Sequence, residues 1–186
     1  MEQQNYFGED IHVMLRERLI ACTASDEVFE EKLRGPVYDE NVGVTRFILC
    51  KLAGQGMTVE TEKDLWRTTN SNQYVWTIEH IFPQGTNIPE SWVNMIADGN
   101  FEKAREYQAI YVHTFGNLSI TGYNSTLGNK SFEEKKECRD NNGAFIGYRN
   151  GLNLNADLCN KERWTIDTIK ERTEKLVMQI SDIFRL

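Results

Sequence analysis

Four side chains in three nearby stretches of the chain could act together on a phosphodiester. Glu79 and His80 are adjacent in a segment that ends at Pro83, and Asn117 and Asn124 follow further along the chain. Carboxylate and amide oxygens are the ligands that hard divalent cations prefer, and a neutral imidazole can take a proton from water. This combination indicates metal-assisted cleavage of a phosphodiester.

Glu79 and His80 are predicted to lie where a β-strand ends. Residues 73–78 are rich in β-branched and aromatic side chains, which favour a strand, and Pro83 stops it. Neighbouring side chains of a strand point to opposite faces, but the backbone bends where a strand ends. We therefore expect the carboxylate and the imidazole to reach the same phosphate.

The sequence around the asparagines predicts a second strand followed by a helix. Alternation of apolar and polar residues over 118–121 indicates the strand. Ser131 and Glu134 form the pattern of a capping box, which predicts a helix that begins at Phe132. The order is therefore strand, long insertion, strand and helix.

Helices are predicted in the insertion and on both flanks of this region. Pro89 and Asn100 have the properties of helix starts, and His113 is expected in the last turn of the helix that follows Asn100. His113 is therefore expected to be structural, with a supporting role in the site as the alternative. Residues 9–34 predict two helices, with Ser25 as the N-cap of the second. Residues 42–54 predict another helix, and a long helix is expected after residue 160. A core-facing stripe is predicted in the first helix, at Ile11, Met14, Leu15 and Leu19.

Further motifs extend the pattern over most of the chain. They are residues 79–84, 116–120, 123–125 and 129–136, and in the tail residues 152–155 with Trp164, Ile169, Arg172 and Leu176. With these motifs the chain resembles HNH, or His-Me finger, nucleases. More narrowly, roughly residues 42–184 resemble the C-terminal HNH domain of GmrSD-type modification-dependent (type IV) restriction enzymes.

The resemblance implies an α+β fold that is mostly α. Its expected centre is a ββα-metal core with a helical insertion and flanking helices. We expect a helical N-terminal region over residues 1–72 and an HNH nuclease domain with a long C-terminal helix over residues 73–186.

The resemblance also implies roles for single residues. It places His80, the general base, and Asn117 among the catalytic residues, with Asn117 pinning the loop between the strands. Glu79 and Asn124 are the implied metal ligands, and Asn129 is the alternative to Asn124 because the spacing from Asn117 is short. Many HNH enzymes carry Asp at the Glu79 position. This hard ligand set favours Mg²⁺, or Mn²⁺, over Zn²⁺.

A neutral His80 is expected to act as the base near neutral pH. The requirement is that a carbonyl or carboxylate holds its other ring nitrogen. Because a metal disfavours the imidazolium whereas Glu79 favours it, cleavage is expected to rise with pH through an apparent pKa not far above about 6.5.

The charge of the chain argues against a protein that coats DNA non-specifically. The net charge is −7, but residues 100–150 carry 6 acidic and 7 basic side chains. Lys130 and Lys135 are therefore candidates for contact with DNA phosphates. The glutamates interleaved with Lys135 and Lys136 leave a simple solvated face as the alternative.

Four separated cysteines and the absence of a Cys-x-x-Cys pair predict no structural zinc. Neither a signal peptide nor an apolar run long enough for a membrane span is present in the sequence, so a cytoplasmic protein that does not contact a membrane is expected.

These features predict a metal-dependent DNA endonuclease, the nuclease part of a restriction or anti-phage defence system. The expected partners are DNA, which can be modified, and an upstream NTPase or sensor domain or subunit, which the resemblance to GmrSD-type enzymes implies. The chain itself has no Gly-rich phosphate loop. The alternative is a catalytically silent DNA-binding or assembly module. An acidic DNA mimic is disfavoured, because the longest acidic run has two residues.

Overall fold

The computed structural model describes residues 8–185 and is mostly helical, with one small antiparallel sheet. No helix in this described part is both long and apolar enough to cross a membrane. The α+β class expected from the sequence is confirmed at this level. The elements are α1 (Gly8–Cys22), α2 (Asp26–Arg34), α3 (Val37–Glu40), α4 (Val42–Gly54), β1 (Thr77–His80), α5 (Glu90–Ala97), α6 (Phe101–Tyr111), β2 (Leu118–Thr121), α7 (Asn124–Leu127), α8 (Phe132–Glu137), α9 (Ala156–Cys159) and α10 (Ile166–Phe184).

The expected division of the chain at residue 73 stays a prediction. Residues 1–7 and 186, which belong to the two expected regions, lie outside the described residues. Among the described residues, one hydrophobic core joins the two sides of that boundary. Leu49 of α4 belongs to the same cluster as Ile120 of β2 and Val177 of α10.

The sheet consists of β1 and β2 in antiparallel pairing. Thr77 lies opposite Thr121 and His80 lies opposite Leu118, so Glu79 and His80 are the last two residues of the ladder. The strand begins later than the sequence predicted, because Tyr74 pairs with Thr68 in an isolated bridge. The β-rich run is thus divided between two different pairings.

Helix starts agree closely with the sequence. The predicted caps Ser25 and Asn100 accept hydrogen bonds from the first turns of α2 and α6, and the Ser131–Glu134 capping box of α8 is present. The predicted core face of α1 is wrong, because Ile11 and Leu19 are 39% and 50% exposed. An amphipathic pattern predicts a face but not its partner, and α1 finds little to pack against.

Helix α10 fixes the short 3₁₀ turn that precedes β2. A Cβ atom at Gly116 would lie 2.0 Å from the Ile169 carbonyl oxygen, so only glycine permits this approach. The buried guanidinium of Arg172 donates to the carbonyls of Gly116 and Leu118, each at 2.8 Å, and pairs with Asp157 at 3.3 Å. Arg172 is therefore a clamp between α10 and β2, and not a group that faces Glu79 or solvent.

Candidate functional site

His80 ends β1 in a pocket of aromatic rings and is only 6% exposed. Its Nε2 atom lies 3.1 Å from Nδ1 of His113, and its ring meets the Tyr38 ring edge-on at 4.7 Å. His113 follows the end of α6 instead of occupying its last turn, as the sequence predicted.

His113 connects His80 to an acidic residue of α3. Its Nε2 lies 3.4 Å from Oδ1 of Asp39, whose side chain is 61% exposed. Its ring stacks on Tyr38 at 5.2 Å, and its carbonyl accepts the Tyr38 backbone N–H at 3.3 Å. Asp39 and His113 also line a cleft of about 490 Å³ together with Arg105, so the chain of side chains that begins at His80 ends at solvent.

The environment keeps His80 neutral at physiological pH. Burial, then His113, then the ammonium of Lys135 lower the pKa of His80 to about 3. The expected pKa near 6.5 was therefore wrong. Glu79 does not face the His80 imidazole and therefore does not raise the pKa of His80. The Nε2 atom of His80 faces the His113 imidazole, and not the carbonyl or carboxylate that was expected.

Glu79 lies on the opposite face of the sheet from His80. Its carboxylate is 2% exposed, and Oε1 accepts hydrogen bonds from Lys135 at 2.7 Å and from the Tyr148 hydroxyl at 3.4 Å. The expectation that Glu79 and His80 converge on one phosphate is not met, because both remain in the ladder and their side chains alternate.

Lys135 is wholly buried, so its predicted contact with DNA phosphate is wrong for this structure. Its ammonium also donates to the carbonyls of His80 at 2.8 Å and Ile81 at 3.1 Å. Burial raises the pKa of Glu79 and lowers that of Lys135, and the attraction between them opposes both shifts. A buried carboxylate requires such a partner, which explains why α8 turns this lysine inwards. Lys130 is exposed and remains available.

The other basic side chains near α8 have partners that limit their contact with an anion. Lys136 is buried and pairs with Glu133 at 2.7 Å, and Arg149 pairs with Glu137 at 2.5 Å. The interleaved acids therefore neutralise much of the basic surface that the sequence suggested.

Asn117 connects three segments of the chain from a fully buried position. Its Oδ1 accepts the Phe82 backbone N–H at 2.8 Å, and its Nδ2 donates to the carbonyls of Phe82 at 2.9 Å and Val112 at 3.0 Å. The Trp164 indole N–H also donates to Oδ1, at 3.3 Å. These bonds hold the segment after His80 against the start of β2.

Asn124 opens α7 beside β1, and its Nδ2 donates to the Ile78 carbonyl at 2.7 Å. The alternative ligand Asn129 is exposed. Residues 8–185 contain no group of three or more His, Cys, Asp or Glu side chains that could hold a metal. Oε2 of Glu79 and Oδ1 of Asn124 nevertheless accept no hydrogen bond from a described residue. In chemical type, these two oxygens fit a Mg²⁺ ion that keeps most of its waters.

Sequence reasoning missed the contributions of α3 and of Tyr148. Tyr38 and Asp39 lie in a single helical turn, and no spacing relates them to His113. Tyr148 is a buried phenol whose hydroxyl reaches Glu79 from a loop without a recognisable motif. Glu79 lies in a largely apolar run of the sequence, and a carboxylate in such a run implies a cation on a neighbouring element, which is a signal that could have indicated Lys135.

A comparison with protein families matches residues 23–179 to the model described as "GmrSD restriction endonucleases, C-terminal domain". Comparisons with curated proteins and with solved structures found no match.

Proposed function

The chain belongs to the GmrSD restriction endonuclease C-terminal domain family, and from this membership we propose that it is an HNH-type endonuclease domain that cleaves DNA in a restriction or anti-phage defence system. The observation that carries the proposal is the neutral His80 imidazole at the end of β1, held by His113. An imidazole that is held at one ring nitrogen can take a proton from water at the other, although a pKa of about 3 makes His80 a weaker base than a histidine near its usual value.

The arrangement of elements supports a ββα-metal core. Strands β1 and β2 pair antiparallel, and α7 and α8 follow β2 directly. Asn124 and Lys135 from these helices both bond to β1, through Ile78 and Glu79. Beyond the other end of β1, Asn117 accepts a hydrogen bond from the backbone N–H of Phe82. The two strands and the helices that follow are thus joined by side chains at the positions that the family motif supplies.

In the proposed reaction, His80 takes a proton from the attacking water through Nδ1, the nitrogen that does not face His113. The water oxygen forms a bond to phosphorus, the bond from phosphorus to the 3′ oxygen breaks, and that oxygen takes up a proton from solvent water. Loss of a general base of this kind typically costs about 10² to 10⁴ in rate. Asn117 does not take part in proton transfer, because it holds the backbone beside His80 in place.

Glu79 and Asn124 are the residues proposed to hold Mg²⁺, with Mn²⁺ as a substitute. Because Glu79 and His80 lie on opposite faces of β1 in this structure, the end of β1 would have to bend when DNA and metal bind for both residues to act on one phosphate. When bound, the ion would supply Lewis-acid stabilisation of the charge on the phosphate. Lys135 already neutralises one oxygen of Glu79, which leaves Oε2 for the metal. We therefore propose weak binding at millimolar metal concentrations.

Lys130, exposed at the turn between α7 and α8, is proposed to contact a DNA phosphate. A domain of this kind makes most of its contacts with the DNA backbone and therefore tolerates many sequences. Target choice is assigned to an upstream NTPase or sensor domain or subunit. No observation favours a catalytically silent module.

A nicking assay tests the proposed function. The chain is incubated with plain plasmid and with glucosylated hydroxymethylcytosine DNA, in Mg²⁺ or Mn²⁺, alone and with its upstream partner. Nicking that EDTA abolishes is the expected result. If neither DNA is cut under any of these conditions while the protein stays folded, the proposed function is wrong.

A further inference from the structure

A chain of three polar side chains leads from His80 to solvent. His80 Nε2 lies 3.1 Å from His113 Nδ1, and His113 Nε2 lies 3.4 Å from Asp39 Oδ1. The His80 and His113 rings meet at 83° with centroids 5.1 Å apart, so the lone pair of one nitrogen can point at the N–H of the other. Because the carboxylate of Asp39, the imidazole of His113 and the imidazole of His80 follow one another, only certain ring nitrogens can carry the protons.

The protons can be assigned from the acidic end. The Asp39 carboxylate accepts but does not donate, so neutral His113 is most stable with its proton on Nε2. The Nδ1 atom of His113 then presents a lone pair, so the Nε2 atom of His80 that faces it must carry a proton. His80 consequently presents a bare Nδ1 nitrogen.

We propose that His113 is a positioning residue that fixes the tautomer of His80, and that Asp39 in turn fixes the tautomer of His113. The inference rests on the proposed function, in which His80 needs one free nitrogen to take a proton from water. It makes α3 part of the site, although the sequence placed that segment in a separate N-terminal region.

Tyr38 holds this arrangement from the side. Its ring stacks on His113 with an interplanar angle of 12° and meets the His80 ring at 79°. Its backbone N–H also holds the His113 carbonyl. Tyr38 therefore packs against both imidazoles and restrains the orientation of each ring.

The test is ¹⁵N NMR of the imidazoles in the full chain at pH 7, combined with single-turnover cleavage. Only three histidines are present, and the exposed His12 in α1 is an internal reference. The variants are His113→Ala, which removes the acceptor, His113→Asn, which places an amide oxygen near the former Nδ1, and Asp39→Asn. Thermal melting verifies that each variant is folded, and His12→Ala is the matched control.

His80 in the wild-type protein and in His113→Asn is expected to carry its proton on Nε2. In His113→Ala the His80 signals should move towards a mixture of tautomers, and cleavage should fall about 10²-fold, which is less than the roughly 10⁴-fold loss of a base held wholly in the wrong tautomer. His113→Asn should cleave within about tenfold of wild type, and Asp39→Asn should shift the His113 signals. An unchanged His80 tautomer in folded His113→Ala would overturn the inference. A tautomer change in a protein that cuts no DNA would support the positioning and refute the proposed function instead.

Discussion

Replacement of Lys135 by methionine is the most informative perturbation of stability. Methionine keeps most of the aliphatic volume but removes the ammonium that serves Glu79, His80 and Ile81. Glu79 is 2% exposed and would be left with the Tyr148 hydroxyl at 3.4 Å as its remaining partner. The carbonyls of His80 and Ile81 would lose the same donor.

The expected loss follows from the burial of both partners. Removing one member of a buried ion pair costs about 3–5 kcal/mol, because the other charge stays buried without compensation. For a chain of this size, about 1 kcal/mol shifts the melting temperature by roughly 2–4 °C, so a fall of about 6–20 °C is expected. The double variant Glu79→Gln/Lys135→Met removes both charges and should melt above Lys135→Met.

Differential scanning calorimetry and urea unfolding measure the effect. Lys130→Met makes the same chemical change at an exposed position and should alter the melting temperature little. In Lys135→Met, burial without a cation raises the pKa of Glu79 further above its unfolded value, so the loss of stability relative to wild type should be smallest at acid pH and should grow as pH rises through that pKa. A loss below about 1 kcal/mol, or a double variant no more stable than Lys135→Met, would refute the reasoning.

Three further outcomes are expected. The pKa of His80 is lowered from 6.5 to about 3, so between these values the unfolded chain binds a proton that the folded chain does not. The free energy of unfolding should therefore fall by up to about 1.4 kcal/mol per pH unit as pH drops below 6.5. His80→Gln should remove this slope in urea unfolding. Asn117→Ala leaves the buried N–H and carbonyl of Phe82 without partners and should cost about 2–5 kcal/mol in calorimetry, whereas a neutral effect would contradict the bonds described. Asn124→Ala should need more Mg²⁺ for cleavage and recover partly in Mn²⁺, and a defect seen only in Asn129→Ala would reassign the ligand.

Local signals in the sequence predicted most elements of the fold. Ser25, Asn100 and Ser131 begin helices where predicted, because the chemistry of a cap involves only three or four neighbouring residues. The pairing of β2 was also predicted, but the start of β1 was not. The same β-favouring residues pair with β2 at Thr77 and with Thr68 at Tyr74, and only the tertiary structure decides between the two partners.

The geometry of the candidate residues could not be predicted from the sequence. The sequence singled out His80 and Glu79 as candidates, yet it could not show that the ladder continues through both and directs their side chains apart. The inward turn of Lys135 depends on the burial of Glu79, which is separated from it by 56 positions. The His113–Asp39 contact joins segments even further apart in sequence, and pairings of this kind have no periodic signature.

Single-turnover cleavage by the wild-type chain and by His80→Ala tests the central claim most directly. Both proteins are assembled with the upstream partner, if the wild type requires it, and compared in Mg²⁺ and Mn²⁺ after calorimetry has shown both to be folded. If His80 is the proton acceptor, His80→Ala should lose about 10² to 10⁴ in rate while its apparent affinity for metal and DNA stays near that of wild type. Wild-type cleavage should also vary little between pH 6 and 8 on account of this residue, because its pKa lies far below that range. A His80→Ala variant that cleaves within threefold of wild type would show that the imidazole is not the base.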